Sequence, residues 1–263
     1  MPAFYLPLGD DRYEAQPSTA GPWSADSQHG GPPAALLTRA VERLQHESER
    51  VVGRFTMELL GPVPVGVLKV TASVVRPGRS VALCEATLYD EGSGRDVATA
   101  RAWLFPAAHD ERAQDGPGIR PEPLPHTFAN GSPHPRPDTW HGGYLDAVDW
   151  RWISGGVEQP GPGVVWMCPN VGLVEGEPMS AAQRLMACVD SASGVSAALD
   201  PARWAFLNTE LTVHVLRPPV GEWLCLDAET TLGDGRVGVA GSSVFDERGL
   251  VPRSAQALLI AAR

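Results

Sequence analysis

The feature that most limits how this chain can fold is a likeness between two distant stretches of it. Leu60 to Phe105 and Leu216 to Ile260 carry the same turn signals in the same order. Pro64-Val65-Gly66 answers Pro219-Val220-Gly221, Gly78-Arg79 answers Gly235-Arg236, and Asp90-Glu91 answers Asp246-Glu247. Between the turns each stretch alternates apolar and polar residues in three runs, the pattern of an antiparallel meander. A repeat that occurs once per half indicates a duplicated domain rather than a solenoid.

One helix is expected upstream of each meander. The first starts at Pro32 in PPAALLTRAVERLQHE, where proline at the opening positions needs no N–H and Leu37, Val41 and Leu44 share a face. The second runs from Ser180 to about Ser193. Ser180 and Gln183 have capping-box spacing, Leu185, Met186 and Val189 form a stripe, and Gly194 is available for a left-handed end. A short strand precedes each helix, with Val164–Met167 as an added apolar run in the second half. The halves are expected at residues 1–105 and 140–263. They are joined by a proline-rich, extended connector over 106–139 that has almost no apolar periodicity. Each half then reads as an α+β module.

Composition narrows the function. A net charge of −10 and a pI near 5.1 disfavour phosphate backbones and anionic lipid, so neither nucleic acid nor a membrane surface is an expected partner. No apolar stretch is long enough to span a bilayer, and the start PAFYLPLGDD lacks the basic region and apolar core of a signal peptide. Cys84, Cys168, Cys188 and Cys225 are widely spaced and fit the reduced, cytoplasmic setting that this implies. Lys69 is the only lysine, and it lies in an alternating strand, so Schiff-base and P-loop chemistry have no candidate. The pattern Gly233-Asp-Gly235-Arg-Val-Gly238 joins two strands and is read as a hairpin turn, not a dinucleotide site. No nucleophile elbow occurs, and the seven histidines show no metal-ligand spacing; neither a metal nor a cofactor is expected.

What remains is a set of polar residues in apolar or element-start positions. His29, Gly30 and Gly31 directly precede the first helix. Glycines there either make a tight turn or let backbone N–H groups at a positive helix terminus approach an oxyanion. Asp190 lies late in the second helix, where its charge opposes the helix dipole, a local cost that points to function or to a solvated face. Gln256 sits among small and apolar residues in the last strand. In the strand around Leu207 to Val215, strict alternation groups Asn208 with Glu210, Thr212 and His214, opposite Thr209.

Four ordered segments, QHGGPPAALL, the RPGRS strand, LMACVDSASG and LRPPVGEWL with SAQALL, resemble the thioesterase II (TesB-like) family of double hotdog acyl-CoA thioesterases. The resemblance implies a double hotdog, two tandem modules each with an antiparallel sheet wrapped around a central helix. It implies hydrolysis of an acyl-CoA or related acyl thioester, in fatty acid metabolism, by an activated water without a covalent intermediate. Asp190 and Gln256 match the family's Asp and Gln, and Asn208 stands where the family has Thr. His29, Gly30 and Gly31 then fall to oxyanion or substrate binding, and Arg76, Arg79, Arg217 and Arg253 are the candidates for the nucleotide phosphates. In the first half Arg101 is expected where the second has Gln256, so one site is expected to be lost. The same scaffold also admits a dehydratase or hydratase using His29 with Asp190, or a non-catalytic acyl-CoA binding protein. A homo-oligomer of double hotdogs is compatible with either half.

Overall fold

The structure, a computed structural model, describes residues 2–44, 50–107, 131–133, 142–156 and 159–263. The strands are β1 (Ala3–Gly9), β2 (Arg12–Ala15), β3 (Ala20–Gly21) and β4 (Ser24–Gln28), then helix α1 (Gly31–Glu42) and β5 (Arg50–Leu59), β6 (Val67–Arg76), β7 (Ala82–Asp90) and β8 (Arg95–Pro106). After the connector come α2 (Gly143–Asp146), β9 (Val148–Gly156), β10 (Gln159–Pro169), β11 (Gly172–Val174), α3 (Ala181–Val189), α4 (Ala192–Val195), β12 (Trp204–Asn208), β13 (Glu210–Val215), β14 (Leu224–Leu232), β15 (Val237–Asp246) and β16 (Gly249–Ala262). Most of the expected connector, and His46 and Glu47 at the expected end of the first helix, lie outside the described residues. Within the connector, Ser132 and Trp152 exchange backbone hydrogen bonds of 3.0 and 2.8 Å at β9.

The two halves share one sheet, in the order β11-β1-β2-β6-β7-β8-β5-β13-β16-β15-β14-β10-β9, with β12 also on β16. The order is a mirror about the β5–β13 pair, where Thr56 faces Thr212. From that pair outward β8 answers β16, β7 answers β15, β6 answers β14, and the repeated turns of the sequence connect equivalent strands. The halves also interlock, because β11 of the second pairs in parallel with β1 of the first.

The two helices pack against each other and against strands of this sheet. α1 is buried along nearly its whole length and packs on β6, β7 and β8, while α3 packs on β10 and β14. They run antiparallel, since the start of α1 meets Ala187 near the end of α3 and Glu42 meets Ser180 at its start. Gly31 makes this approach possible: a Cβ there would lie 2.2 Å from the Ala187 carbonyl oxygen. The capping box of α3 forms, with Gln183 N–H donating to Ser180 Oγ at 3.1 Å and Ser180 N–H to the Gln183 carboxamide at 3.2 Å. The helix is shorter than the sequence suggested. It ends at Val189, Asp190 is its cap, and the following residues form the separate turn α4. Gly194 lies inside that turn and is not left-handed. Cys84, Cys188 and Cys225 are buried and Cys168 half-buried, all with free thiols.

Candidate active site

Asp190 caps α3 in a buried position, 4% exposed, yet it faces the first turn of α1. The unfavourable placement read from one helix is therefore offset by the positive end of the other. Its Oδ1 accepts hydrogen bonds from Asn208 Nδ2 at 2.7 Å and from Gln256 Nε2 at 2.9 Å, and the same Nε2 donates to the Asp190 carbonyl at 3.0 Å. Gln256 is fully buried, and its own carbonyl oxygen accepts from Ser193 N–H at 3.2 Å, which fixes the orientation of the amide. Oδ2 is left toward His29, 3.3 Å from Nδ1, and toward Gly30. Any side chain at Gly30 would strike this carboxylate, since a Cβ would lie 2.7 Å from Oδ2.

The fold thus brings together Asp190, Asn208, Gln256, His29 and Gly30. It sends Gly31 elsewhere: its N–H donates to His29 Nδ1 at 3.0 Å, and its Cα faces α3. Gly31 orients the imidazole and closes the helix contact, so it offers no donor to a ligand in this arrangement. With Nδ1 accepting, the neutral ring carries its proton on Nε2. Burial pushes the His29 imidazole below its usual pKa, and neighbouring Asp190 opposes that shift without reversing it. Tyr144 stacks on the ring at 3.8 Å and 5°, and its hydroxyl donates to the Ala187 carbonyl at 2.7 Å, so helix packing and ring position are tied together. Tyr144 escaped the sequence reading. The signal was present: His141-Gly142-Gly143 before it repeats His29-Gly30-Gly31.

Asn208 reaches the site through a bulge that alternation does not reveal. β12 pairs Asn208 with Leu258, but β13 pairs Thr212 with Ala255, a slip of one residue at Thr209. The slip inverts the phase of the strand. Phe206 before it and Leu211 and Val213 after it are all buried, and Asn208 turns to Asp190 instead of joining Glu210 and His214. The opened ladder is filled by Glu210, whose carboxylate accepts from Ala257 N–H at 2.8 Å. Thr209 is exposed.

A cavity of about 870 Å³ opens beside the carboxylate, lined by His29, Gly30, Asp190 and Asn208 at one end and mostly by apolar and aromatic side chains elsewhere. Among the described residues lining it the only arginine is Arg151. Arg217, a candidate for phosphate, instead makes two 2.6 Å bonds to the fully buried Asp246 and holds a turn. Arg76 lies over the Trp103 ring. The pairing of Arg101 with Gln256 also needs correction: by register Arg101 answers Ala255, and it bonds Glu85 on the exposed face. Ala102 is the counterpart of Gln256. A one-residue offset in a strand moves a side chain to the opposite face, and the turn motifs alone did not fix that offset.

A mirror-paired sheet with two antiparallel helices packed on it is a hot dog fold, consistent with two tandem modules. The match is with solved structures across nearly the whole chain. A Thermobifida fusca candidate thioesterase II has 20% identity and a TM-score of 0.74, covering 98% of this chain and 95% of that one. A hot dog fold protein from Alicyclobacillus acidocaldarius has 17% identity and a TM-score of 0.74, covering 98% and 96%. The acyl-CoA thioesterase II TesB2 of Mycobacterium marinum has 15% identity and a TM-score of 0.64, covering 98% and 95%. No curated protein matches the sequence. The family models are decisive: residues 19–105 match the acyl-CoA thioesterase N-terminal domain and residues 128–260 the acyl-CoA thioesterase C-terminal domain. The chain belongs to the acyl-CoA thioesterase family and is a thioester hydrolase. Among the described residues no helix is long and apolar enough to cross a membrane.

Proposed function

We propose that this protein hydrolyses an acyl-CoA by direct attack of water, with Asp190 as general base and the second half, residues 140–263, as the catalytic module. The carrying observation is the division of labour on one carboxylate: Oδ1 is held by two carboxamides while Oδ2 faces His29 and Gly30 at the cavity end. A base must be fixed in direction and must keep one oxygen available, and this arrangement meets both needs. Water bound at Oδ2 attacks the thioester carbon and gives its proton to Asp190. The tetrahedral intermediate collapses with cleavage of the carbon–sulfur bond, and the proton passes to the departing thiolate, giving free acid and thiol. The positive first turn of α1 at Gly30 is suited to the negative charge that forms on the carbonyl oxygen. Residues 1–105 form the partner module, the strands of each half wrap about that half's central helix, and residues 106–139 link the two.

Asn208 supports this reading although the family resemblance places threonine there. It supplies the donor that the carboxylate needs and reaches it at 2.7 Å. The test is thiol release from a panel of acyl-CoA substrates by wild type and by Asp190→Asn. The variant is expected to lose two to four orders of magnitude in kcat, the range of a general base. Unchanged hydrolysis would remove Asp190 from the mechanism. Hydration of an enoyl-CoA without thiol release would replace hydrolysis by the lyase chemistry of the same scaffold.

A further inference from the structure

Four of the eight tryptophans, Trp23, Trp150, Trp152 and Trp223, line the one cavity that holds Asp190, and Phe206 joins them. Their arrangement has direction. His29 stacks on Tyr144, Tyr144 meets Trp150 edge-on at 6.3 Å and 81°, and Trp150 lies nearly parallel to Trp152 at 6.4 Å and 14°. On another part of the wall Trp23 meets Phe206 edge-on at 5.1 Å and 88°. An aromatic wall thus begins two ring contacts from the imidazole beside the carboxylate and runs away from it. These tryptophans serve no step of the hydrolysis described above.

We infer that the acyl group taken by this enzyme carries an uncharged aromatic ring, set a short spacer away from the thioester. This deepens the thioesterase reading and rests on it. A chamber of about 870 Å³ lies toward the large end of ligand sites and has room for a ring system. Arg263 lies over the Trp23 ring at 5.0 Å and Arg151 over Trp223 at 5.6 Å, and the indole surface left to the cavity favours a flat partner, since ring pairs gain more than their buried area alone provides. A rigid ring also loses less conformational freedom on entry than a saturated chain with many rotors. Charge excludes a second acid group on the substrate. Asp146 and Asp149 line the cavity, and Arg151, the one lining arginine among the described residues, lies over the Trp223 ring at 5.6 Å.

The experiment compares 4-phenylbutanoyl-CoA with hexanoyl-CoA and decanoyl-CoA in wild type, Trp150→Leu and Trp23→Leu, reading kcat/KM from thiol release. In wild type the phenyl substrate is expected to exceed both linear substrates by about tenfold or more, the yield of one or two ring contacts. In each tryptophan variant that ratio is expected to fall about threefold to tenfold. A wild-type preference for a linear chain, or a ratio that neither variant changes, overturns the inference. Wild type alone decides the matter if the variants do not fold. Quenching of tryptophan fluorescence, with the same three ligands on Asp190→Asn, separates this inference from the hydrolytic one. If no thioester is cleaved but the phenyl ligand binds about tenfold tighter than hexanoyl-CoA, the hydrolytic reading fails and the aromatic pocket stands. Equal binding of all three overturns the pocket.

Discussion

At one end of the antiparallel α1–α3 pair, Asp190 meets the first turn of α1; at the other, Glu42 meets the first turn of α3. Both ends thus place a carboxylate from one helix terminus against the positive terminus of its neighbour, an arrangement worth about 0.3–1 kcal/mol at each. The environments then diverge. Glu42 accepts from Ser180 Oγ at 2.9 and 3.0 Å and from Gln183 Nε2 at 2.6 Å, and nearby Arg39 pairs with Glu177 and donates to the Tyr13 hydroxyl at 2.8 Å. Glu42 lines no part of the cavity. The strands diverge as well. The first half has its own one-residue slip at Gly53, in the place of Thr209, but Val52 and Ala102 stand there where the second has Asn208 and Gln256. The scaffold geometry is thus shared by both halves, and two carboxamides and an open cavity distinguish the Asp190 end.

The comparison breaks most sharply through the two carboxylates. Asp190→Asn is expected to lower thiol release by two to four orders of magnitude, and Glu42→Gln by less than about twofold. Comparable losses in both would make the two ends functionally equivalent.

The equivalent turns offer the next largest contrast. Asp246 is fully buried with Arg217, whereas Asp90 holds its turn through the Gly92 and Ser93 N–H groups, at 2.9 and 3.0 Å, with the Ser93 side chain and without a buried arginine pair. Denaturant unfolding is expected to show a loss of about 3–5 kcal/mol for Arg217→Gln, which strands a buried charge. Asp90→Asn is expected to cost about 1 kcal/mol, the scale of a single hydrogen bond.

Two adjacent glycines sharpen the picture at the active end. Gly30→Ala pushes against Asp190 and is expected to reduce kcat by about tenfold or more, with melting temperature little changed. Gly31→Ala pushes against the Ala187 backbone and is expected to cost about 1–3 kcal/mol in stability. Thermal melts and thiol-release rates measured on both variants distinguish them.

The smallest expected effect is a pair of opposed pH slopes. Burial lowers the His29 pKa from 6.5, so the unfolded chain takes up a proton before the folded one, and stability declines as pH falls through 6.5. Burial raises the Glu42 carboxyl above 4.5 despite its hydrogen bonds to Gln183 and Ser180 and the charge of Arg39. There the unfolded chain ionises first, and stability declines as pH rises from 4.5 through the folded value. Stability curves against pH for His29→Gln and Glu42→Gln should lose one slope each. Loss of the same slope in both would contradict the assignment.

Much of this was legible in the amino-acid order because its causes are local. Paired turn motifs, capping signals and alternation announced two α+β halves and the helix starts, and the family resemblance pointed to Asp190 and Gln256. Asn208 was legible as a residue but not as a direction. Its alternation is uniform in the sequence, and only the slip against β16 inverts it. The same limit produced the Arg101 offset, since register belongs to a pair of strands and not to either one.

The sequence by itself therefore determined the duplication and the element types, which follow from short-range stereochemistry and periodicity, while the acid and amide came from the family resemblance. Tertiary structure alone decided that α1 and α3 run antiparallel, that Gly31 serves the helix contact while Gly30 serves the carboxylate, and that tryptophans from distant segments meet around one cavity. Those outcomes depend on which surfaces become neighbours after burial, and residues as far apart as Trp23 and Trp223 carry no local mark of that meeting.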